Sequence, residues 1–310
     1  MSRLIRQRLG QLVLVVLGLS TLVFFLVRIS GDPAGAIAGT DADPETIDAI
    51  RQNLGLNDPL IIQYVRFLGD LFTLDFGDSF QYRTPAMGLV LDRLPNTALL
   101  TVTSMVIAIA IGLPAGMFGA VHRDGPLGKI VNGFAILGQS MPGFVLGILL
   151  ILVFAARLGW FPSFGNNDGL RSLVLPAITL SSFICARQIR LVQAYAMEEL
   201  SQGYVRTASS IGYSAWRIRF RHILRNVTVP WLSMVGLELG QFIAGAVVTE
   251  SVFAWPGLGR LMVEAVSTRD YPVIQAGVFT IGVLVVLINF IVDLLYVKVD
   301  PRLRTEVAAT

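Results

Sequence analysis

From Leu9 to Val27 the chain runs without a charged side chain. A helix rises about 1.5 Å per residue, so such a run covers the roughly 30 Å of hydrocarbon in a bilayer. Lipid leaves it one inexpensive conformation, a helix whose backbone groups satisfy one another. Five more apolar stretches follow: Thr97–Val121, Val131–Ala156, Leu173–Tyr195, Trp231–Glu250 and Val273–Val297. Only 15% of the 310 residues are charged and 54% are hydrophobic; a soluble domain carries about 25% charged residues. The fold class expected is an all-α polytopic membrane protein with six transmembrane helices.

The placement of charge orients these helices. Arg3, Arg6 and Arg8 precede the first run, Arg123 and Lys129 fall in the turn after the second, and Lys298, Arg302 and Arg304 close the chain. Basic residues stay on the cytoplasmic side, so both termini are expected there. Ala34-Gly35-Ala36 looks like a leader cleavage site. The first run nevertheless exceeds the roughly 7–15 apolar residues of a leader and is expected to remain. Between Ser30 and Asn96 lie ten acids against four arginines, the reverse of the inside loops. The organisation expected is a tail and first helix (1–30), an extracytoplasmic insert (31–96), a five-helix core (97–297) and a cytoplasmic tail (298–310).

Two helices are expected in the insert. Asp43-Pro44 supplies an N-cap and first turn, Ile47, Ile50 and Leu54 share a face, and Gly55 stops the helix. Asp58-Pro59 repeats the device, with Ile61, Val65, Leu68 and Phe72 as a packing face. Within the spans, Gly112/Gly116, Gly143/Gly147 and Gly236/Gly240 are spaced for close helix packing. Pro114, Pro142 and Pro176 free backbone carbonyls that neighbours or a wet cavity must satisfy.

Chemistry-bearing side chains are few. The two histidines, His122 and His222, sit outside the spans, and the single cysteine, Cys185, excludes an intrachain disulfide. No phosphate loop or hydrolase motif occurs: Gly128-Lys129-Ile130 lacks the first glycine and the Ser/Thr of a Walker sequence. No ATP hydrolysis, bound metal or bound cofactor is expected of this chain. A net charge of +3 is too small to imply nucleic acid. Inside the spans, Arg187 and Arg190 are expected to snorkel to the inner interface. Glu238 and Asp293, the latter one turn after Asn289, either pair helices or line a path.

The polar stretch Glu198–Pro230 separates two apolar segments and holds Arg206, Arg217, Arg219, Arg221 and Arg225. Thr207, Ala208, Ser209 and Ser210 precede Gly212, and an amphipathic run leads to Pro230. The order predicts a short slim helix, a glycine break and a second helix, with the proline close to the start of the next span. By itself this is equally a basic loop that sets topology.

The stretch resembles the coupling loop of permease subunits in bacterial ABC importers, closest to the dipeptide, oligopeptide and nickel group. Tyr204, Thr207, Ala208, Gly212, Arg221, His222, Asn226 and Pro230 carry the likeness. Arg206 stands where the loop's name-giving glutamate is found, and Gly203 where the group often has Asp. Further likeness lies in Gly31-Asp32-Pro33, Leu54–Leu60, Asp75–Phe80, Thr249–Arg260 with its Trp255-Pro256-Gly257 turn, Arg269–Pro272 and Val299–Arg302.

The resemblance implies a type I ABC importer permease fold in the bacterial inner membrane. The chain would supply half the path, beside a second, similar permease. Two ATPases, carrying ATP and Mg, would bind the loop formed by Tyr204, Arg206, Thr207, Ala208, Gly212, Arg217, Arg221, His222, Asn226 and Pro230. An extracytoplasmic receptor would deliver the cargo. Glu238, Glu250, Trp255, Pro256, Gly257, Asn289 and Asp293 become candidates for path or gate. Peptides are the expected cargo because the spans, with no histidine and one thiol, offer no soft-metal ligand set. Nickel or another small solute remains the alternative within this machinery, and an ion-gradient transporter the alternative outside it.

Overall fold

The computed structural model describes residues 2–29, 34–35, 43–53 and 55–299, with side chains from Gly10 onward except those of 50, 53, 243 and 293–299. Regular structure among these residues is helical, with one isolated bridge between Asp78 and Pro85. The helices are α1 (Ser2–Ile29), α2 (Pro44–Asn53), α3 (Leu60–Thr73), α4 (Ala86–Val121), α5 (Pro126–Ser140), α6 (Gly143–Leu150), α7 (Leu170–Ser201), α8 (Gly203–Ser210), α9 (Ala215–Arg217), α10 (Leu224–Val252), α11 (Leu258–Thr268) and α12 (Tyr271–Val299). Wider π-type turns extend α6 through Ile151–Arg157 and join α9 to α10 through Ile218–Ile223. The chain forms two compact units, 1–97 with 256–290 and 98–255 with 291–310.

In the first unit, α1 packs on the insert. Phe24 lies 5.2 Å from the rings of both Tyr64 and Phe67, and Thr21 shares a hydrogen bond with Tyr64. Arg28 caps the Phe24 ring and donates to Gln63 at 3.0 Å. These contacts and Leu71, Phe76, Val90, Leu258, Leu261 and Val273 form one core.

The Asp43 cap is present, with its carboxylate accepting from the Thr46 N–H, and Gly55 takes φ +63. Asp58 behaves otherwise: it pairs with Arg66 at 2.8 Å and caps nothing. The packing face of α3 is also not the expected one. Gln63, Phe67 and Leu71 are buried and Leu68 packs in part on the same core, while Ile61, Val65 and Phe72 are more than half exposed. An α3 apolar on both sides cannot have its buried side chosen by periodicity alone. The aromatic partners on α1 decide it.

The second span starts as a helix at Ala86, well before Thr97, because the Gly77–Pro85 turn delivers the chain directly into it. The Ala86 N–H bonds the Gly77 carbonyl, and the Ser79 N–H bonds the Thr84 carbonyl. The third span is not continuous. Pro142 interrupts it, and Pro126–Ser140 meets Gly143–Arg157 at 108°. Pro142 has no N–H to give the Gly138 carbonyl, which is why the helix stops there. α7, by contrast, runs straight through Pro176. The fifth span bends by 50° between Phe242 and Ala244. Among the described residues four helices are long and apolar enough to cross a membrane, or up to six if each bent pair counts as one span.

In the second unit α7 is the central post and the most buried span. A Cβ on Gly116 of α4 would stand 2.5 Å from the Val192 Cβ and 2.9 Å from the Ile189 carbonyl oxygen. Gly112 is as tight against Gln188. That pair is a close-packing surface. Gly147 is also tight, its Cβ position lying 3.1 Å from the Phe253 ring, whereas Gly143 and Gly240 face open space and serve no close contact.

Candidate functional site

The polar segment begins where α7 ends at Ser201. α8 buries Ala208 and turns Arg206, Thr207, Ser209 and Ser210 outward, which leaves a slim exposed face. The helix stops in a turn at Gly212, whose φ of +87 is a conformation other residues avoid. No atom lies within 4 Å of a Cβ placed there, so the glycine serves the turn and not a close contact. Ser214 then caps α9 by accepting from the Arg217 N–H.

The two limbs are clasped together. Glu199 accepts a short bond from the Tyr204 hydroxyl and one from the Asn226 amide at 2.8 Å, and Asn226 also reaches Tyr204 at 3.3 Å. Burial, then the bond to Glu199, pushes the Tyr204 phenol up to about 12. Tyr204 and Asn226 were expected in the site, and Glu199 was not. Its only sequence signal is an acid one helix turn before the break, opposite an amide 27 residues later.

Arg221 and Arg225, with Tyr204, His222 and Asn226, line an open pocket of about 260 Å³. His222 stacks on Tyr213 at 5.9 Å, and the Arg217 guanidinium lies 4.4 Å above the same ring. The amphipathic run also exposes Ile211, Trp216 and Phe220, with the last two rings 3.8 Å apart. Pro230 does not mark the start of a helix. It sits inside α10, which begins at Leu224, because the π-type turns carry the helical path through from Ser214.

Of the intramembrane groups, Glu238 is 1% exposed and holds α10 to α7. Its carboxylate accepts from Gln188 at 3.1 Å and lies 3.6 Å from the Arg187 guanidinium. Arg187 also donates to Gln241, and Arg190 to Gln139 of α5 at 2.9 Å. The arginines thus bond across to neighbouring helices instead of reaching along their own. Asn289 is exposed on α12, and the side chain of Asp293 lies outside the described residues.

Glu250 and Trp255 are fully buried in the second unit, where the Trp255 N–H bonds the Glu250 carbonyl. In the first unit the Pro256 carbonyl accepts from Asn96, and Gly257 starts α11, whose Leu258 N–H bonds the Thr97 hydroxyl. These polar groups are satisfied within protein, as a non-helical run in a membrane protein requires. Asp270 falls in the Arg269–Pro272 likeness, which gave it no role of its own. Buried in the first unit, it accepts from the Ser79 hydroxyl at 2.5 Å and from the Phe80 and Gln81 N–H groups.

Residues 112–305 match the family described as binding-protein-dependent transport system inner membrane component, and residues 1–101 match its N-terminal part. The chain belongs to this family. It is an inner-membrane permease subunit of an ABC importer. It is 40% identical over 299 residues to the glutathione transport system permease protein GsiC of Escherichia coli K12, covering 96% of this chain and 97% of that one. The protein of the same name from Shigella dysenteriae serotype 1 is equally similar. Among solved structures, the MetNI methionine ABC transporter in inward-facing form gives a TM-score of 0.56 at 19% identity, over 69% of this chain and 97% of that one. An amino acid ABC transporter with histidines gives 0.51 at 18%, over 68% and 94%. The fold is that of the type I importer permeases.

Proposed function

We propose that this permease forms half of a path for peptides, and that Glu198–Pro230 carries the motion of an ATPase to the spans. The observation behind the coupling role is the clasped turn. A segment that transmits force must be stiff and slim. Glu199, Tyr204 and Asn226 tie its limbs, Gly212 sets the bend, and beyond Tyr204 the outward face of α8 carries small residues and Arg206. A loop that only set topology would need charge and no such bracing.

Peptide cargo is supported by the 40% identity to a glutathione permease over nearly the whole chain. In this reading two ATPases bind the segment, ATP and Mg sit on them, a second related permease completes the path, and a receptor docks on the outer face. Both termini lie in the cytoplasm. The test is purification of the assembly from its native membrane, followed by reconstitution with receptor and ATP. Glutathione or another short peptide should accumulate in the vesicles and stimulate hydrolysis. Uptake driven by an ion gradient without ATP would reject the reading. Nickel uptake without peptide uptake would reject the cargo.

A further inference from the structure

Charged and amide side chains inside the spans of the second unit meet across three helices. Arg187 and Arg190 leave α7 one turn apart, Gln139 stands on α5, and Glu238 and Gln241 stand on α10. Among the described side chains of this strip the charge does not balance: two guanidiniums stand against one carboxylate. Glu238 is buried beneath Arg187 and also held by Gln188. Arg190 bonds a neutral amide, Gln139, and its side chain remains exposed. An arginine stays charged at any physiological pH. Fixed cations within spans face a bundle interior or an aqueous path. The α5–α6 break adds to the polarity beside Gln139, because Pro142 gives no N–H to the Gly138 carbonyl and Ser140 is exposed.

We propose that Arg190, assisted by Arg187, recognises the carboxylate of an anionic peptide as it passes along the path. The inference rests on the importer reading above and specifies its substrate class. A guanidinium offers a carboxylate two parallel donors, and the amides of Gln139 and Gln241 flank the position. Glu238 limits how much of Arg187 is available, so Arg190 carries most of the recognition. The same excess positive charge disfavours cationic peptides and divalent metal ions.

The experiment uses the whole complex with its receptor and ATPases in vesicles, and compares glutathione with its glycine carboxamide at saturating receptor. Wild type should prefer glutathione. Arg190→Gln should lower glutathione uptake about tenfold, as expected for a lost charged hydrogen bond, and change carboxamide uptake less than about twofold. Arg190→Lys should restore much of the preference. ATPase recruitment reports that each variant is folded. An Arg190→Gln variant that lowers both probes equally, or neither, makes the arginine a brace between helices and overturns the inference alone. So does a wild type without preference. A wild type that moves neither probe overturns the peptide reading, and this inference with it.

Discussion

Gly212 allows conformation to be tested apart from contact. Its φ is +87 and the space around a Cβ is empty, so a side chain there meets strain and no clash. An ordinary L residue held in the left-handed region costs about 1–2 kcal/mol. Asn visits that region more readily, and β-branched residues least of all. The loop must hold this turn to present α8, so the strain lowers the population of the docking shape by roughly 5–30-fold. Apparent affinity for the ATPase falls by the same factor. Titrating labelled ATPase onto the permease pair in nanodiscs should rank the variants Gly, Asn, Ala, Val in falling affinity. Substrate-stimulated hydrolysis should follow that rank. Span insertion should not change, since the turn lies between α8 and α9. If Gly212→Val binds within about twofold of wild type, the turn does not present α8 and the coupling argument fails.

Three further outcomes are expected. Asp270→Ala leaves the Ser79 hydroxyl and two N–H groups without their carboxylate and should destabilise the first unit by about 2–4 kcal/mol, visible as a lower melting temperature of the purified complex; an unchanged melt would mean that water replaces it. Gly116→Leu drives side-chain atoms into Val192 and the Ile189 carbonyl and should cost about 1–3 kcal/mol, while Gly240→Ala should be neutral in the same thermal assay. With Cys185→Ser as background, an impermeant thiol reagent on intact cells should label Asp48→Cys and Thr268→Cys and spare Arg123→Cys and Ser214→Cys, all four being exposed positions; labelling of Ser214→Cys would invert the topology.

The sequence announces its helices because lipid permits little else, and α1, α7 and α12 occur where the apolar runs place them. It is less informative wherever two faces of a helix are apolar. The α3 stripe of Ile61, Val65 and Phe72 looked like a packing face, yet the aromatic cluster on α1 selects the opposite side. Pro142 and Pro230 show a similar limit. Both are helix-breaking by chemistry, yet one ends α5 and the other lies within α10. The difference is made by the turns before them, which a residue-by-residue scan does not see. In the polar segment, Tyr204, Gly212 and Asn226 were legible by resemblance. Glu199 was not, because its importance arises only when the two limbs meet.

The hydrogen bond between Ser79 and Asp270 joins residues 191 positions apart. A ribosome adding about 5–20 residues per second needs roughly 10–40 seconds to supply the second partner after the first. During that interval the first ninety-odd residues lack α11 and α12, which complete their core, whereas residues 98–255 are already continuous. The unit begun first can therefore close only once residues 256–290 have been made. Phe76, whose ring partner is Phe279, waits uncovered on that side until residues 256–290 emerge. A nascent chain arrested before Pro256 would present that aromatic surface to chaperones and proteases. Quality control of this permease thus has its decisive moment late in translation, although the vulnerable surface was made early.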